Sequence, residues 1–173
     1  MDSKRFLHSL GVVQTALVFA PLLEADIEKV CLAAHLHDCA KCMGRDRLLQ
    51  IADESGCCEG TPDRDFPNIL HAPVGAHIAR KEFGVEDQEV LDAIRFHPTG
   101  CANPSRTLTV LMAADFCEPT RNFPGVEEAR IAIRRDLVGG LSAALGKKVL
   151  HVEETGRPVH PRVYEMMESL KHA

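Results

Sequence analysis

Residues 35–42 read HLHDCAKC, and inside them an imidazole stands beside a carboxylate, His37-Asp38, with Lys41 one turn further on. Adjacent nitrogen and oxygen ligands can hold a cation, and an ammonium nearby can attract phosphate to it. Alone the dipeptide is ambiguous, because a single histidine on an apolar helix face is as readily a packed core residue as a ligand. His8, His71, His97 and Asp115 change its meaning. Each stands on or at the end of an apolar segment, flanked by small or apolar residues. Four imidazoles and two carboxylates suit a hard or borderline ion, or two ions sharing a bridging carboxylate, better than an ion that prefers thiolates. Asp115 adds weight: among Leu111, Met112, Ala113, Ala114 and Phe116, a lone carboxylate is costly unless paired or metal-bound.

The elements that must position these residues read as helices, since apolar residues recur three and four apart and β-branched alternation is scarce. A first helix carries Phe6, Leu10, Val13 and Leu17 as its apolar stripe, with His8 beside it, and ends near Ala20-Pro21. A second begins after Asp26 as N-cap and runs toward Gly44, with Val30, Ala33, Ala34 and His37 on its inner side. Residues 45–54 form a short helix. Residues 55–68, SGCCEGTPDRDFPN, read as a loop and a natural lid. His71 opens a helix that Gly84 stops, and Asp87 caps another that Pro98 ends directly after His97. Asn103-Pro104 starts the apolar helix that holds Asp115. One long amphipathic helix is expected over 126–145, an extended or loop stretch over about 147–161, and a last helix over 161–171. The expectation is a single all-α domain, 1–173, of seven to eight helices.

Composition sets the outer limits. A chain of 173 residues supports one well-buried domain. With 45% hydrophobic and 26% charged residues it is globular in character. No unbroken apolar run approaches the roughly 20 residues of a membrane span, and the N-terminus lacks a clear signal-peptide pattern, so no membrane partner and a cytoplasmic location are expected. The net charge of −5 argues against a broad basic surface and hence against nucleic acid as partner. Seven cysteines without an export signal are expected to be reduced thiols. Cys39 and Cys42 form a C-x-x-C, read here as small packed residues, while Cys57-Cys58 in the loop is open to oxidation. His35, His77, His151, His160 and His172 are read as ordinary histidines.

The strings RFLHSLGV, LHDCAK, HAPVGAHIA, AIRFHPTG, AADFCEPTR and FPGVEEAR resemble the successive motifs of the YqeK branch of the HD-domain superfamily, over about residues 5–137 and in order. The resemblance implies an HD-type helical bundle that splits diadenosine tetraphosphate symmetrically with a dinuclear metal centre. On that pattern His8, His37, Asp38, His71, His97 and Asp115 are the metal ligands. Asp38 bridges the two ions, His71 and His97 serve mainly the second, and Asp115 serves the first. The ions implied are two transition-metal ions, iron being the one usually described for the family, with manganese or another divalent ion as alternatives. Lys41 and Arg121 match basic residues facing the substrate phosphates, so Asp38, Lys41 and Arg121 form the catalytic set. Thr99 and Gly100 remain in place as substrate contacts, although Pro98 stands where the family commonly has threonine. Two metal ions would lower the pKa of a water held between them, supplying hydroxide in line with phosphorus. The partner implied is a nucleotide substrate, with a homodimer kept open as the assembly. The competing readings are another HD-type nucleotide phosphohydrolase, such as a nucleotidase or alarmone hydrolase, and a non-catalytic metal and nucleotide sensor.

Overall fold

A computed structural model describes residues 3–172. Met1, Asp2 and Ala173, included in the expected 1–173 domain, lie outside the described residues. The described chain is all-α. Its helices are α1 (Ser3–Phe19), α2 (Ile27–Leu36), α3 (Arg45–Ser55), α4 (His71–Glu82), α5 (Gln88–Phe96), α6 (Arg106–Cys117), α7 (Val126–Arg135), α8 (Leu137–Glu154) and α9 (Pro161–Leu170), with short 3₁₀ turns at Ala20–Leu23 and Pro62–Asp65.

Several boundaries fall where side chains dictate them. The Asp26 carboxylate accepts from the backbone amides of Glu28 and Lys29 at 2.9 and 3.2 Å, and Asp87 does the same for Glu89 and Val90 at 2.9 and 3.3 Å. Those caps satisfy amides that a helix start otherwise leaves without partners. Pro21 turns the end of α1 into a 3₁₀ turn, and Ser105 caps α6 by accepting from Leu108 N at 3.1 Å.

α1 packs on α2 and α6, α2 and α6 pack on α5, α4 packs on α5, and α7 packs on α8. One core runs through α1, α2, α5 and α6, and a smaller one joins α3 and α4 around Ala40, Leu48, Ala52, Leu70 and Val74. Ser3–Leu23 is long and apolar enough to cross a membrane by length and composition, but it contributes Val12, Ala16, Phe19 and Ala20 to the core, each 0–2% exposed.

Five expectations change. Of the stripe Phe6, Leu10, Val13 and Leu17, only Val13 is buried; the others are 55%, 39% and 40% exposed. α1 is instead rotated so that Ser9, Val12, Ala16 and Phe19 face inward. α1 is apolar on more than one side, so periodicity alone could not select the face. α2 stops at Leu36, and residues 37–43 continue as turns with i→i+3 bonds such as Lys41 N to Asp38 O at 3.0 Å. The expected 126–145 helix divides at Asp136, whose extended backbone ends α7 and whose side chain caps α8 through Gly139 N at 3.0 Å. α8 then continues to Glu154 through a stretch expected to be loop. Finally, the 55–68 segment is pinned: Asp63 is 1% exposed and accepts from Arg162 Nη1 at 2.6 Å and from His160 Nε2 at 3.1 Å.

Candidate metal centre

The six residues expected as ligands come from five separate helices or helix ends. His8 lies within α1. His37 is the residue after α2, with Asp38 in the following turn. His71 begins α4, His97 follows α5, and Asp115 lies in the last turns of α6. All six converge. His37, Asp38, His71 and His97 are each 4% exposed or less.

The centre is organised by the two oxygens of Asp38. Oδ1 faces His71 Nε2 at 3.3 Å and His97 Nε2 at 3.5 Å. Oδ2 faces His8 Nε2 and His37 Nε2, each at 3.7 Å. Asp115 joins that second side, with Oδ1 3.2 Å from His8 Nε2 and 3.9 Å from His37 Nε2. The sets His8, His37, Asp115 and His37, Asp38, His97 each bring their ligand atoms within 4.8 Å of one another.

The backs of the rings explain why Nε2 faces inward. His37 Nδ1 donates to the Ala34 carbonyl at 2.8 Å, and His97 Nδ1 donates to that of Ile94 at 2.8 Å. A carbonyl can only accept, so in the neutral ring the lone pair is left on Nε2. His37 Nε2 and Asp38 Oδ2 are buried with no hydrogen-bond partner among the described residues. Buried polar atoms are rarely left so, and two of them aimed at one point fit a bound cation.

The electrostatics agree. Burial, reinforced by His97, lowers the pKa of His37 from 6.5 to about 4, so the ring is neutral and able to ligate at pH 7. Burial works against ionisation of Asp38, but the imidazoles of His71, His97 and His37 around it hold its carboxyl well below the usual range. Asp115 is likewise held low against burial by His8 and Arg121. Burial opposes protonation of His8, yet Asp115 and Glu118 raise its pKa above the ordinary value. A cation bound at His8 would compete with that added proton affinity.

The residues expected to meet substrate divide. Lys41, Thr99 and Arg121 line a cavity of about 670 Å³ that opens beside His71, His97 and Asp115. Lys41 Nζ donates to Asp38 Oδ1 at 3.1 Å, and Arg121 donates from Nε to the Asp115 carbonyl at 2.7 Å and from Nη2 to its carboxylate. Thr99 is 2% exposed and donates to the Gly100 carbonyl at 2.9 Å. Gly100 lies apart from these: its φ is +71° and a Cβ there would meet Met166 Cγ at 2.4 Å, so it turns the chain against α9, outside the residues that line the cavity.

Sequence reasoning missed two residues. Glu118 is 0% exposed and accepts from His8 Nδ1 at 3.0 Å. Its only signal was its place in the AADFCEPTR string. Lys148 on α8 lines the cavity and makes no ion pair among the described residues. Desolvation in the cavity lowers its pKa, and the nearby cations Arg121 and Lys41 add to that. It lay in the stretch read as loop. Of the histidines read as ordinary, His35 turns back onto the Cys31 carbonyl at 2.8 Å, whereas His160 is buried against Asp63 and His151 lines the cavity. All seven cysteines are free thiols.

An all-α bundle whose interior gathers four imidazoles around a shared carboxylate has the architecture of the HD class. An HD-domain model matches residues 5–120, and the chain belongs to the HD-domain family. It is 37% identical to the symmetrical bis(5'-nucleosyl)-tetraphosphatase of Halalkalibacterium halodurans, covering 93% of this chain and 86% of that one. It is 36% identical to the protein of the same name from Bacillus subtilis, covering 95% and 88%. A solved Clostridium acetobutylicum structure, described as a predicted HD superfamily hydrolase involved in NAD metabolism, is 34% identical with a TM-score of 0.93, covering 99% of this chain and 91% of that one.

Proposed function

We propose that this chain is a metal-dependent hydrolase that splits diadenosine tetraphosphate, or a related dinucleoside polyphosphate, symmetrically into two nucleoside diphosphates. The carrying observation is the division of Asp38, with one oxygen toward His71 and His97 and the other toward His8 and His37. A carboxylate presented in this way suits a bridge between two cations. The names and lengths of the relatives support the substrate class.

On this reading His8, His37 and Asp115 hold one ion, His71 and His97 hold the other, and Asp38 serves both. Iron is the ion assigned first, with manganese or another divalent ion as alternatives; the mixture of imidazole and carboxylate accepts each of them. When bound, such a pair supplies a water of lowered pKa and neutralises charge on the phosphate.

The protein's own groups do the rest. The tied Nδ1 atoms of His37 and His97 keep both rings fixed before substrate arrives. Lys41 has Asp38 as its partner and stands at the cavity wall, from which its ammonium can turn to a phosphate oxygen. Arg121 holds Asp115 in place and presents its remaining guanidinium edge to the same cavity. Lys148 brings a further positive charge, with no ion-pair partner among the described residues. Phe66, Phe116 and Val152 supply apolar wall for a nucleoside.

The test is product analysis with metal analysis. Purified protein should carry close to two transition-metal ions per chain and convert diadenosine tetraphosphate into ADP alone. Appearance of ATP with AMP would overturn symmetrical cleavage, and full turnover by stringently metal-free protein would overturn the metal centre.

A further inference from the structure

We propose that Glu118 is a positioning residue for the metal centre: it fixes the tautomer and orientation of His8 from behind, so that His8 Nε2 is presented to the ion on the α1 side. This rests on the dinuclear reading above.

His37 and His97 need no such help, because each follows the end of its helix and finds an acceptor three residues back, at Ala34 O and Ile94 O. His8 differs. It lies inside α1, and its Nδ1 points away from that helix to an acceptor 110 residues on, Glu118 Oε1 at 3.0 Å.

The surroundings of Glu118 are arranged to hold that carboxylate still. α6 ends at Cys117, and Glu118 leaves it with an extended ψ of 156°. The side chain is fully buried, and its charge is met by Thr120 N on Oε2 and Thr120 Oγ1 on Oε1, both at 2.6 Å. From the other side, Arg130 donates to the carbonyls of Cys117 and Glu118 at 2.9 and 2.8 Å, which fixes the backbone. Room for the carboxylate against α1 comes from Gly11, one turn after His8. A Cβ at Gly11 would lie 2.4 Å from Oε2 and 3.3 Å from Cδ, and the grip of Thr120 leaves the carboxylate nowhere to move. A glycine on one helix, a threonine in a turn and an arginine from α7 thus combine to seat one carboxylate behind one imidazole. A carboxylate in that place also makes the ring a stronger ligand than a carbonyl would.

The experiment titrates manganese(II) into chelator-stripped protein, comparing wild type, Glu118→Ala, Glu118→Gln and Gly11→Ala, with circular dichroism and melting of the metal-free forms alongside. Glu118→Ala and Gly11→Ala should each weaken one of the two ions by about 10–100-fold, and Glu118→Gln by less, since its amide oxygen still accepts from Nδ1. In zinc-loaded protein the ring-nitrogen spectrum of His8 should read Nδ1–H in wild type, and that signature should be lost in Glu118→Ala. Failure of wild type to take up two ions would remove the dinuclear reading itself. Two ions in wild type, with unchanged affinity and unchanged His8 signature in Glu118→Ala, would overturn this inference alone. Should Glu118→Ala fail to fold, wild-type affinity in both Glu118→Gln and Gly11→Ala would overturn it equally.

Discussion

Arg121 holds Asp115 by two points at once, Nε on its backbone carbonyl at 2.7 Å and Nη2 on its carboxylate. The carbonyl belongs to the last turn of α6, so the arginine closes the helix and orients a proposed ligand together. Expected to face the substrate phosphates, Arg121 also closes α6, and so joins the end of that helix to the site by its position.

A two-point grip of that kind depends on the planar fork of a guanidinium, which lysine lacks. Arg121→Lys should therefore lower kcat/KM by about 10–100-fold, in keeping with the loss of one charge-assisted hydrogen bond. Steady-state kinetics on diadenosine tetraphosphate measure this, and a lysine variant as active as wild type would show that only the charge matters.

Asp38→Asn removes the carboxylate that faces all four imidazoles. Turnover should fall by about a thousandfold or more and both ions should be lost, while the helices remain. Elemental analysis, kinetics and far-ultraviolet circular dichroism on one preparation suffice. Retained metal with retained turnover would contradict the bridge.

The metal-free protein should be sensitive to mild acid. His37 takes up its proton near pH 6.5 when unfolded but only near pH 4 when folded, so between those values the unfolded state binds more protons. Its contribution is thus present above about pH 6.5 and lost as the pH falls toward 4, at up to about 1.4 kcal/mol per pH unit. His71, lowered chiefly by burial, acts in the same direction. Melting curves of chelated protein from about pH 7 to about pH 4.5 should show a falling midpoint, and a flat or rising one would contradict the neutral, buried state of these rings.

Asp63 ties the 55–68 segment to the start of α9 through Arg162 and His160. Asp63→Ala would leave the half-buried Arg162 and the buried His160 without their carboxylate, at a cost of about 3 kcal/mol, or a melting midpoint lower by about 6–12 °C. A shift within about 1 °C would restore the view of this segment as a loose lid.

Much of this protein is legible locally. Asp26 and Asp87 cap because their own carboxylates reach amides two and three residues on, and Pro21, Gly84 and Pro98 stop helices by their own chemistry. The inward face of α2 was readable because Val30, Ala33 and Ala34 are its small apolar residues and His37 extends their line. The ligand set could be gathered because burying an imidazole or carboxylate is costly without a partner, which makes each one conspicuous in an apolar segment.

Other features depend on distance in sequence becoming proximity in space. α1 is apolar on several sides, and the face that turns inward is the one that brings His8 to Asp38 and Asp115. The opening of α8 at Asp136 sets Lys148 on the cavity wall. Gly11 reads as an unremarkable helix glycine until Glu118 arrives behind it. Residue types and their spacing determined which groups could serve a metal centre, because their chemistry is intrinsic to the side chains. Packing alone decided which oxygen faces which ring and which carboxylate stands behind His8, because those relations arise only when separate helices share one interior.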